Sequence, residues 1–355
     1  MSRQTFVIAA AVLGVVSLTS GFTASSTTAA FTGTQPQLAA IGRRVYLAFG
    51  LQNTISVVRS DDMGETFGAP VRLPASGRLS LGMHRGPRVA ATNSAVLVTA
   101  IAGAKGGGAD GDVLLFRSSD GGVSWTQPVV VNDVPGSARE GLQSIAARPS
   151  GLVVIAWLDL RDKGTRIYAA VSRDDGVTWA QDRLVYAAPS GSVCECCHPS
   201  VAISSQDRVG VMFRNNVDGH RDMYVAKSTT DGRFEAPARL GTESWLLNAC
   251  PMDGGGLAFI GTDLVATWRR ETSVFLTTSQ VAERRLGTGR DPAIGVAGSH
   301  FDVAWSSSAG IMLARGDGQP VTIGPGRFPA VLAFQDKTIL ASENEGAIDV
   351  RAIAR

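Results

Sequence analysis

The chain has 355 residues, and its 33 basic and 31 acidic side chains leave a formal net charge of only +2 at neutral pH. That length suits two ordinary domains or one large all-β domain. The basic residues are scattered along the chain, which excludes the clustered positive surface of nucleic-acid-binding proteins, so we expect no nucleic acid partner.

The first 30 residues are typical of a secretory signal peptide. One early cation, Arg3, precedes an apolar run from about Phe6 to Leu18, and small polar residues follow. The run is shorter than the roughly 20 residues of a membrane span. We therefore expect cleavage between about residues 24 and 30, with no stable membrane span afterwards, and an uncleaved N-terminal anchor is the alternative. The mature chain, residues 31–355, is then exported to the periplasm or the extracellular space.

A short box recurs along the first two thirds of the chain. SDDMGETF (60–67), SSDGGVSW (118–125) and SRDDGVTW (172–179) share the pattern SxDxGx[ST][WF], and STTDGRF (228–234) is one residue shorter. The boxes follow one another at intervals of about 54 to 58 residues. An Asp that accepts backbone N–H bonds and a Gly with a positive φ form a tight turn. We therefore interpret the boxes as structural markers of a repeat.

Each box lies within a unit of four short strands. Alternating apolar segments separated by Gly, Asn and Asp turns indicate an antiparallel meander, and four strands in about 40 to 55 residues are typical of a propeller blade. Seven such units begin near residues 36, 87, 144, 199, 252, 291 and 328. The last unit has no room for a fourth strand, so we predict that residues 29–34 supply it and close the ring.

The boxes resemble the Asp-box, or BNR, repeats of the sialidase-like propellers, from about residue 36 to the C-terminus. The resemblance implies one all-β domain, a single β-propeller of four-stranded blades, with six blades as in sialidases rather than the seven of the repeat count. It also implies an arginine cluster for a substrate carboxylate, a Tyr and Glu nucleophile pair and an Asp acid/base. Only HRGPRVA, with Arg85, partly matches the usual motif of Arg, aliphatic residue and Pro, and no Tyr follows Tyr224. We therefore expect the fold without conventional sialidase chemistry.

Polar loops should converge on one face of the ring. The innermost strands of a propeller begin near the axis on the face that normally binds ligands, so the stretches before them form a rim there together with the loops between second and third strands. A ring of arginines suits a carbohydrate or another small anionic ligand. The residues predicted to bind it are Arg85, Arg139, Arg161, Arg214, Arg221, Arg290 and Arg327. The same rim is predicted to include Gln143, His198 and Asp291.

Three carboxylates on this rim are candidates for catalysis: Glu140, Asp159 and Asp253. They would do the acid/base work if the protein were a glycoside hydrolase of sialidase type with a rearranged centre. In that case Arg85, Arg290 and Arg327 would hold the carboxylate of the substrate.

All four cysteines should share one corner of the rim. The candidate cluster consists of Cys194, Cys196, Cys197 and His198 before the fourth inner strand, and Cys250 and Met252 before the fifth. A disulfide between Cys250 and one cysteine of the run is one interpretation in an oxidising compartment. Copper or zinc held by thiolates with His198 and Met252 is another. Free or redox-active thiols, including a nucleophilic Cys with a His base, are the third. We expect Cys250 within bonding reach of the run, with His198 beside it.

Three functions agree with these patterns. The first is an exported, monomeric propeller that binds a glycan or another anionic group at a Cys- and Arg-rich rim without conventional sialidase activity. The second is an exo-sialidase-type glycoside hydrolase with a rearranged centre, and the third is a copper- or zinc-binding extracytoplasmic protein. Apart from copper or zinc, the sequence predicts no cofactor.

Overall fold

The computed structural model describes Met1, residues 28–74 and residues 76–355. The predicted signal peptide therefore lies almost wholly outside the described residues. The described part of the chain forms 29 β-strands in seven antiparallel sheets. No helix in that part is long and apolar enough to cross a membrane. The prediction of an all-β propeller is confirmed, and the blade number is seven, as the repeat count predicts, rather than six.

Each sheet is one blade, whose strands follow one another from the axis outward. Blade 1 consists of β2 (Thr34–Ile41), β3 (Arg44–Leu51), β4 (Thr54–Ser60) and β5 (Val71–Arg72). Blade 2 consists of β7 (Arg88–Ala91), β8 (Val96–Gly103), β9 (Asp112–Ser118) and β10 (Val129–Val130), with the short β6 (Arg78–Leu79) paired to the far end of β8. Blade 3 consists of β11 (Gln143–Ala147), β12 (Val153–Asp159), β13 (Arg166–Ser172) and β14 (Arg183–Tyr186).

The second half of the ring repeats this order. Blade 4 consists of β15 (Ser200–Ile203), β16 (Val209–Arg214), β17 (Met223–Lys227) and β18 (Ala238–Arg239). Blade 5 consists of β19 (Gly255–Ile260), β20 (Asp263–Arg270), β21 (Ser273–Thr277) and β22 (Arg284–Thr288). Blade 6 consists of β23 (Arg290–Ala297), β24 (His300–Ser307), β25 (Gly310–Arg315) and β26 (Val321–Gly324). Blade 7 consists of β27 (Arg327–Ala333), β28 (Lys337–Asn344), β29 (Ala347–Ala354) and β1 (Ala29–Thr32).

The two ends of the described propeller close the ring by pairing with each other. Strand β1 runs antiparallel to β29, from Ala29 opposite Val350 to Thr32 opposite Ala347. This is the predicted closure, and it covers the edge that blade 7 would otherwise expose. The inner strands begin at residues 34, 88, 143, 200, 255, 290 and 327, all within about three residues of the predicted unit starts.

The hydrophobic core lies between the blades. Every residue of β12 is buried, because a middle strand of a blade packs against a neighbouring blade on each face. Such strands carry continuous apolar runs rather than strict alternation, for the same reason that strands of sheets covered on both faces do. Trp157 of blade 3 and Trp305 of blade 6 are the largest fully buried side chains.

The Asp-boxes form the turns between the third and fourth strands of blades 1 to 3. In the first box, Ser60 Oγ donates to Asp62 Oδ1 at 2.7 Å, and the N–H of Gly64 donates to Ser60 Oγ at 2.8 Å. The bonds from Thr66, and then that from Ser60, hold the pKa of Asp62 well below its usual range. Equivalent bonds recur in the boxes at 118–125 and 172–179.

The terminal aromatic residue of each box packs against the preceding blade. Phe67 joins the core with blade 7, Trp125 joins the core with blade 1, and Trp179 joins the core with blade 2. Because successive strands alternate in direction, these turns lie on the face opposite the starts of the inner strands. The boxes therefore connect neighbouring blades on the face away from the predicted rim.

Candidate functional site at the axis

The seven inner strands enclose a cavity on the ring axis. Its volume is about 200 Å³, and every blade contributes to its wall. At the starts of the inner strands the wall carries a group of polar and aromatic side chains, which we call the axial mouth. The axial mouth consists of Gln35, His84, Arg88, Ser144, His198, Ser200, Asp291 and Phe328.

Four residues of the axial mouth have a positive φ. His84 has a φ of 67°, and Gln35, Asp291 and Phe328 have φ values of 56°, 56° and 49°. The last three each directly precede a proline. In blades 1, 6 and 7, the residue before the proline and the proline itself lie at a register shift between the inner strand and the second strand. Non-glycine residues rarely adopt a positive φ, and those that do are concentrated at functional sites.

His84 connects the other residues of the axial mouth. Its Nε2 lies 2.9 Å from Asp291 Oδ1, its ring centroid lies 4.7 Å from that of His198, and Phe328 meets it edge-on at 4.9 Å. Burial, followed by the neighbouring His84 and Arg88, holds the pKa of His198 well below its usual range. The His198 imidazole is therefore neutral at neutral pH, and the mouth carries a group of three aromatic rings.

Arg88 is a buried cation at the axial mouth. The residue is 7% exposed, and its guanidinium donates to the carbonyl oxygens of His84 at 2.6 Å and Pro87 at 3.2 Å. Burial lowers the pKa of Arg88 to about 10, and no carboxylate of the described residues offsets this. Because buried guanidinium groups are normally paired with an anion, Arg88 is well suited to hold an anionic ligand.

Two of the predicted ligand-binding arginines stand at the entrance of the axial mouth. Arg290 is 49% exposed, and its Nε lies 3.3 Å from Asp291 Oδ1. Arg327 is 68% exposed, and its Nε lies 3.2 Å from Oε2 of the buried Glu343. Since each guanidinium has five N–H donors, both retain donors for a ligand.

None of the seven predicted arginines lines the axial cavity itself, and the remaining five are Arg85, Arg139, Arg161, Arg214 and Arg221. Arg161 forms ion pairs with Asp133, Asp159 and Asp182 at 2.5 to 2.9 Å. Arg214 is also buried in an ion pair. Arg139 is exposed and Arg221 is partly buried. The structure therefore divides the predicted rim into the axial mouth and a set of loop contacts farther out.

The three candidate catalytic carboxylates lie in different environments. Asp159 is buried against Arg161, and Asp253 is buried between Arg214 at 3.2 Å and Arg269 at 2.7 Å. Glu140 is the one of the three that faces solvent, 3.6 Å from Arg85. Burial raises the pKa of Glu140, and the guanidinium beside it opposes this rise. None of the three lines the axial cavity.

Three thiols converge beside blade 4. The Sγ atoms of Cys194, Cys196 and Cys197 are 3.5 to 3.9 Å apart, and all three residues are buried. Cys250 is exposed, and a side-chain hydrogen bond with Cys196, followed by burial, raises the pKa of its thiol. Met252 packs against the three buried thiols. All four cysteines are free, and Cys250 lies near Cys196.

His198 lies apart from the three mutually close thiols, stacked on His84. The nearest cation to the thiols is instead the buried Arg214. The backbone N–H of Cys194 donates to its carbonyl oxygen at 3.0 Å. Burial lowers the pKa of Arg214, but the neighbouring Cys197, Asp253 and Cys194 together raise it by more, so that the pKa is above its usual value. The neighbouring Cys196 and Cys197 lower the pKa of Cys194.

Sequence reasoning did not name six residues of the axial mouth: Gln35, His84, Arg88, Ser144, Ser200 and Phe328. A signal for two of them is present, because five units begin with an X-Pro step and the residues before Pro include Gln35, His198, Asp291 and Phe328. A repeated X-Pro step at the start of the inner strand thus marks side chains aimed at the axis. Arg88 directly follows Pro87 at the start of β7, the place that Ser200 has in blade 4, whereas His84 lies in the segment before that strand, where no repeat position identifies it.

Comparison with known proteins agrees with this architecture. Residues 87–245 match the family model described as BNR repeat-like domain. A polysaccharide lyase of family PL25, an ulvan lyase bound to -[GlcA(1-4)Rha3S]-, is 10% identical, with a TM-score of 0.58 over 92% of this chain and 95% of that one. The GH93 α-L-arabinofuranosidase of Fusarium graminearum in complex with arabinobiose is 11% identical, with a TM-score of 0.54 over 93% and 97%.

A third similar structure is the α-L-arabinanase of Penicillium chrysogenum complexed with arabinobiose, at 12% identity and a TM-score of 0.53 over 93% of this chain and 96% of that one. No curated protein sequence matches the chain. At these identities the likeness shows the fold alone. The propeller thus shares its fold with these three structures.

Proposed function

We propose that this chain, a seven-bladed BNR-repeat propeller of the sialidase-like type, binds an acidic saccharide at the axial mouth. The single observation that carries the proposal is the buried Arg88, which lines the axial cavity without a carboxylate partner among the described residues. A carboxylate or sulfate group of a saccharide would pair with this guanidinium and offset the cost of burying it.

The rest of the axial mouth fits the same ligand. His84, His198 and Phe328 offer aromatic rings that can pack against the apolar face of a sugar. Arg290 and Arg327 add exposed guanidinium groups at the entrance. The cavity of about 200 Å³ is smaller than the ~300–1,000 Å³ of pockets for drug-sized ligands. It therefore suits one end of a saccharide, with the remainder lying across the entrance.

The similar structures support a carbohydrate rather than another anion. The ulvan lyase is bound to a saccharide that contains glucuronate and sulfated rhamnose, and the two arabinan-degrading enzymes are bound to arabinobiose. We infer from this likeness only the class of ligand. We also propose that the protein acts after export, because residues 1–30 have the pattern of a secretory signal. The monomeric state stays a prediction.

We propose binding without conventional sialidase chemistry. None of the four tyrosines lines the axial cavity, so no phenol is placed to act as the nucleophile of a ligand held there. Asp159 and Asp253 are buried in ion pairs, where a substrate would have to break those pairs to reach them. A glycoside hydrolase with a rearranged centre would depend on Glu140, which lies outside the cavity.

Calorimetric titration with a glucuronate-terminated oligosaccharide tests the proposal, with neutral arabinobiose as the comparison ligand. We expect the acidic ligand to bind at least about tenfold more tightly, since hydrogen bonds to charged groups contribute roughly 1.5–3 kcal/mol. Arg88→Met should remove that preference. Arg233→Ala is the matched control, because Arg233 is 84% exposed in the last box, away from the axis. Equal binding of both ligands, or unchanged binding by Arg88→Met, would exclude this function.

A further inference from the structure

The three buried thiols beside blade 4 have the spacing of ligands around one ion. Their Sγ atoms are separated by 3.6 Å between Cys194 and Cys196, 3.5 Å between Cys194 and Cys197, and 3.9 Å between Cys196 and Cys197. The circle through three such points has a radius of about 2.1 Å, close to the ~2.3 Å length of a Zn–S bond. An ion can therefore contact all three sulfurs from a position in or just above their plane, without any movement of the chain.

The local sequence favours this arrangement over a disulfide. Cys194 and Cys197 have the CxxC spacing that is common among zinc ligands. A disulfide would require two of these sulfurs to approach to about 2.05 Å, and one buried thiol would remain in any pairing within the run. The three sulfurs are instead nearly equidistant, which a single ion explains and a pairwise bond does not.

The surroundings of the three thiols also suit a bound cation with thiolate ligands. Met252 packs against them and brings a thioether, a soft donor that copper accepts. The buried guanidinium of Arg214 lies near Cys197 and Cys194 and offsets part of the negative charge that three thiolates carry. All three cysteines are buried, which limits the access of water to the site.

We propose that Cys194, Cys196 and Cys197 form a site for one thiophilic metal ion, Cu(I) or Zn(II), with Met252 as a neighbouring soft donor. Cys250 is exposed and outside the mutually close group, so it is not a ligand of this site. None of these residues lines the axial cavity. The metal site is therefore separate from the proposed saccharide site, and Arg88→Met should retain the metal.

Metal analysis of the full chain tests the site. The reduced protein is mixed without oxygen with equal amounts of Cu(I) and Zn(II), passed through gel filtration and analysed for both metals. We expect about one ion per chain, and the metal that is retained identifies the occupant. X-ray absorption should show sulfur neighbours at about 2.2–2.3 Å. If the reduced, folded protein retains neither ion, the proposal is wrong.

Two serine variants distinguish the ligands from the neighbouring thiol. Cys194→Ser should weaken binding by more than about 100-fold, since even loss of an outer-shell partner lowers metal affinity by 10- to 100-fold. Cys250→Ser is the comparison variant. Cys250 is not a ligand, and the serine hydroxyl can replace its hydrogen bond to Cys196, so we expect binding to fall by less than the 10- to 100-fold that loss of an outer-shell partner costs. Equal loss in both variants would overturn the three-thiol assignment.

A measurement on the wild type covers the case in which Cys194→Ser does not fold. Alkylation with iodoacetamide, in enough urea for the buried thiols of the metal-free protein to react, is followed by mass spectrometry and reports which cysteines the metal protects. We expect the added ion to protect Cys194, Cys196 and Cys197 and to leave Cys250 reactive. Unchanged reactivity of the three buried thiols after addition of the metals would contradict the site.

Discussion

His84 and Asp291 join non-adjacent blades through a 2.9 Å contact between Nε2 and Oδ1. His84 lies in the segment before blade 2, whereas Asp291 belongs to the inner strand of blade 6, so the contact crosses the axial mouth. Burial alone would raise the pKa of Asp291, but the hydrogen bond and charge of His84, together with Arg290, lower it. The ionised carboxylate therefore holds the imidazole in place above the cavity.

Replacing the carboxylate of Asp291 should lower the stability of the protein. Asp291→Asn keeps the size of the side chain but removes the charge that His84 and Arg290 share, so we expect the free energy of unfolding to fall by about 1–3 kcal/mol. Urea denaturation provides the measurement. Asp317→Asn is the control, because Asp317 is 89% exposed in its pair with Arg284 and should change stability by less than about 0.5 kcal/mol. Equal effects of the two changes would argue against the role of the His84 contact.

A second carboxylate, that of Asp182, should make the free energy of unfolding depend on pH in the mildly acidic range. Burial and the neighbouring Asp133 raise the pKa of Asp182 to about 6, against the opposing pull of Arg161. A carboxyl with a raised pKa binds more protons in the folded state, so its contribution to stability is largest below about pH 4 and is lost as the pH rises through about 6. The rise from 3.8 to about 6 corresponds to at most about 3 kcal/mol, and the lowered pKa of Asp133 reduces the net effect.

Comparison of the wild type with Asp182→Asn tests this dependence. The amide cannot ionise, so the difference in unfolding free energy between the two proteins should shift in favour of the variant as the pH rises from about 4 to 7. Urea denaturation at several pH values within that range measures the shift. A constant difference across the range would show that Asp182 does not titrate there.

The fold could be predicted from the sequence because each repeat contains turn residues at fixed positions close to one another in the chain. The boxes at 60–67, 118–125 and 172–179 fix one turn in each of three blades, and the alternating strands around them fix the unit length. The closure between β1 and β29 followed from counting strands. These features depend on residues near one another in the chain, so a single sequence is enough to recognise them.

The site was harder to predict because it depends on contacts between distant blades. Asp159 and Arg214 are residue types that are common in ligand-binding rims, but in the structure both are buried in ion pairs. Arg88 resembles any other strand residue in the sequence, and only the ring places it at the axis without a partner. The cysteine run could be located by sequence alone, whereas the equal separation of its sulfurs required the folded loop.

The glycine of the first Asp-box offers a test of how the boxes connect blades. A Cβ added to Gly64 would lie 2.8 Å from Cδ1 of Ile339 in blade 7, at a φ of +84°. Gly346 has nearly the same φ, +83°, but open space around it. An alanine at either position is destabilised by the positive φ, and only at Gly64 does it also meet a neighbouring side chain. We therefore expect Gly64→Ala to be less stable than Gly346→Ala by about 1–3 kcal/mol, the usual cost of overpacking. Equal melting temperatures would mean that this turn does not press on the neighbouring blade.

The purified protein should not hydrolyse an activated sialoside above background. This expectation depends on the tyrosines, since Tyr224 is the last in the chain and none of the four lines the axial cavity. Release of the chromophore from an aryl sialoside measures turnover. Clear hydrolysis that Arg290→Ala or Arg327→Ala abolishes would show that a rearranged centre is active at the entrance.

Arg88→Met should separate stability from ligand binding. In the free protein the change removes a buried cation that has no carboxylate partner among the described residues, so we expect the free energy of unfolding to stay the same or to rise by up to about 4 kcal/mol, as when buried charges are replaced by apolar side chains.

The wild type should gain about 2.7 kcal/mol when an acidic saccharide is present at 100 times its dissociation constant. A variant that binds tenfold more weakly should gain only about 1.4 kcal/mol at that concentration, because the group that pairs with the ligand is missing. Thermal denaturation with and without the saccharide measures both effects. If the variant were less stable than the wild type by more than about 2 kcal/mol, as expected when a buried hydrogen-bonding group is lost, Arg88 would serve mainly to hold the carbonyl groups of His84 and Pro87 in place.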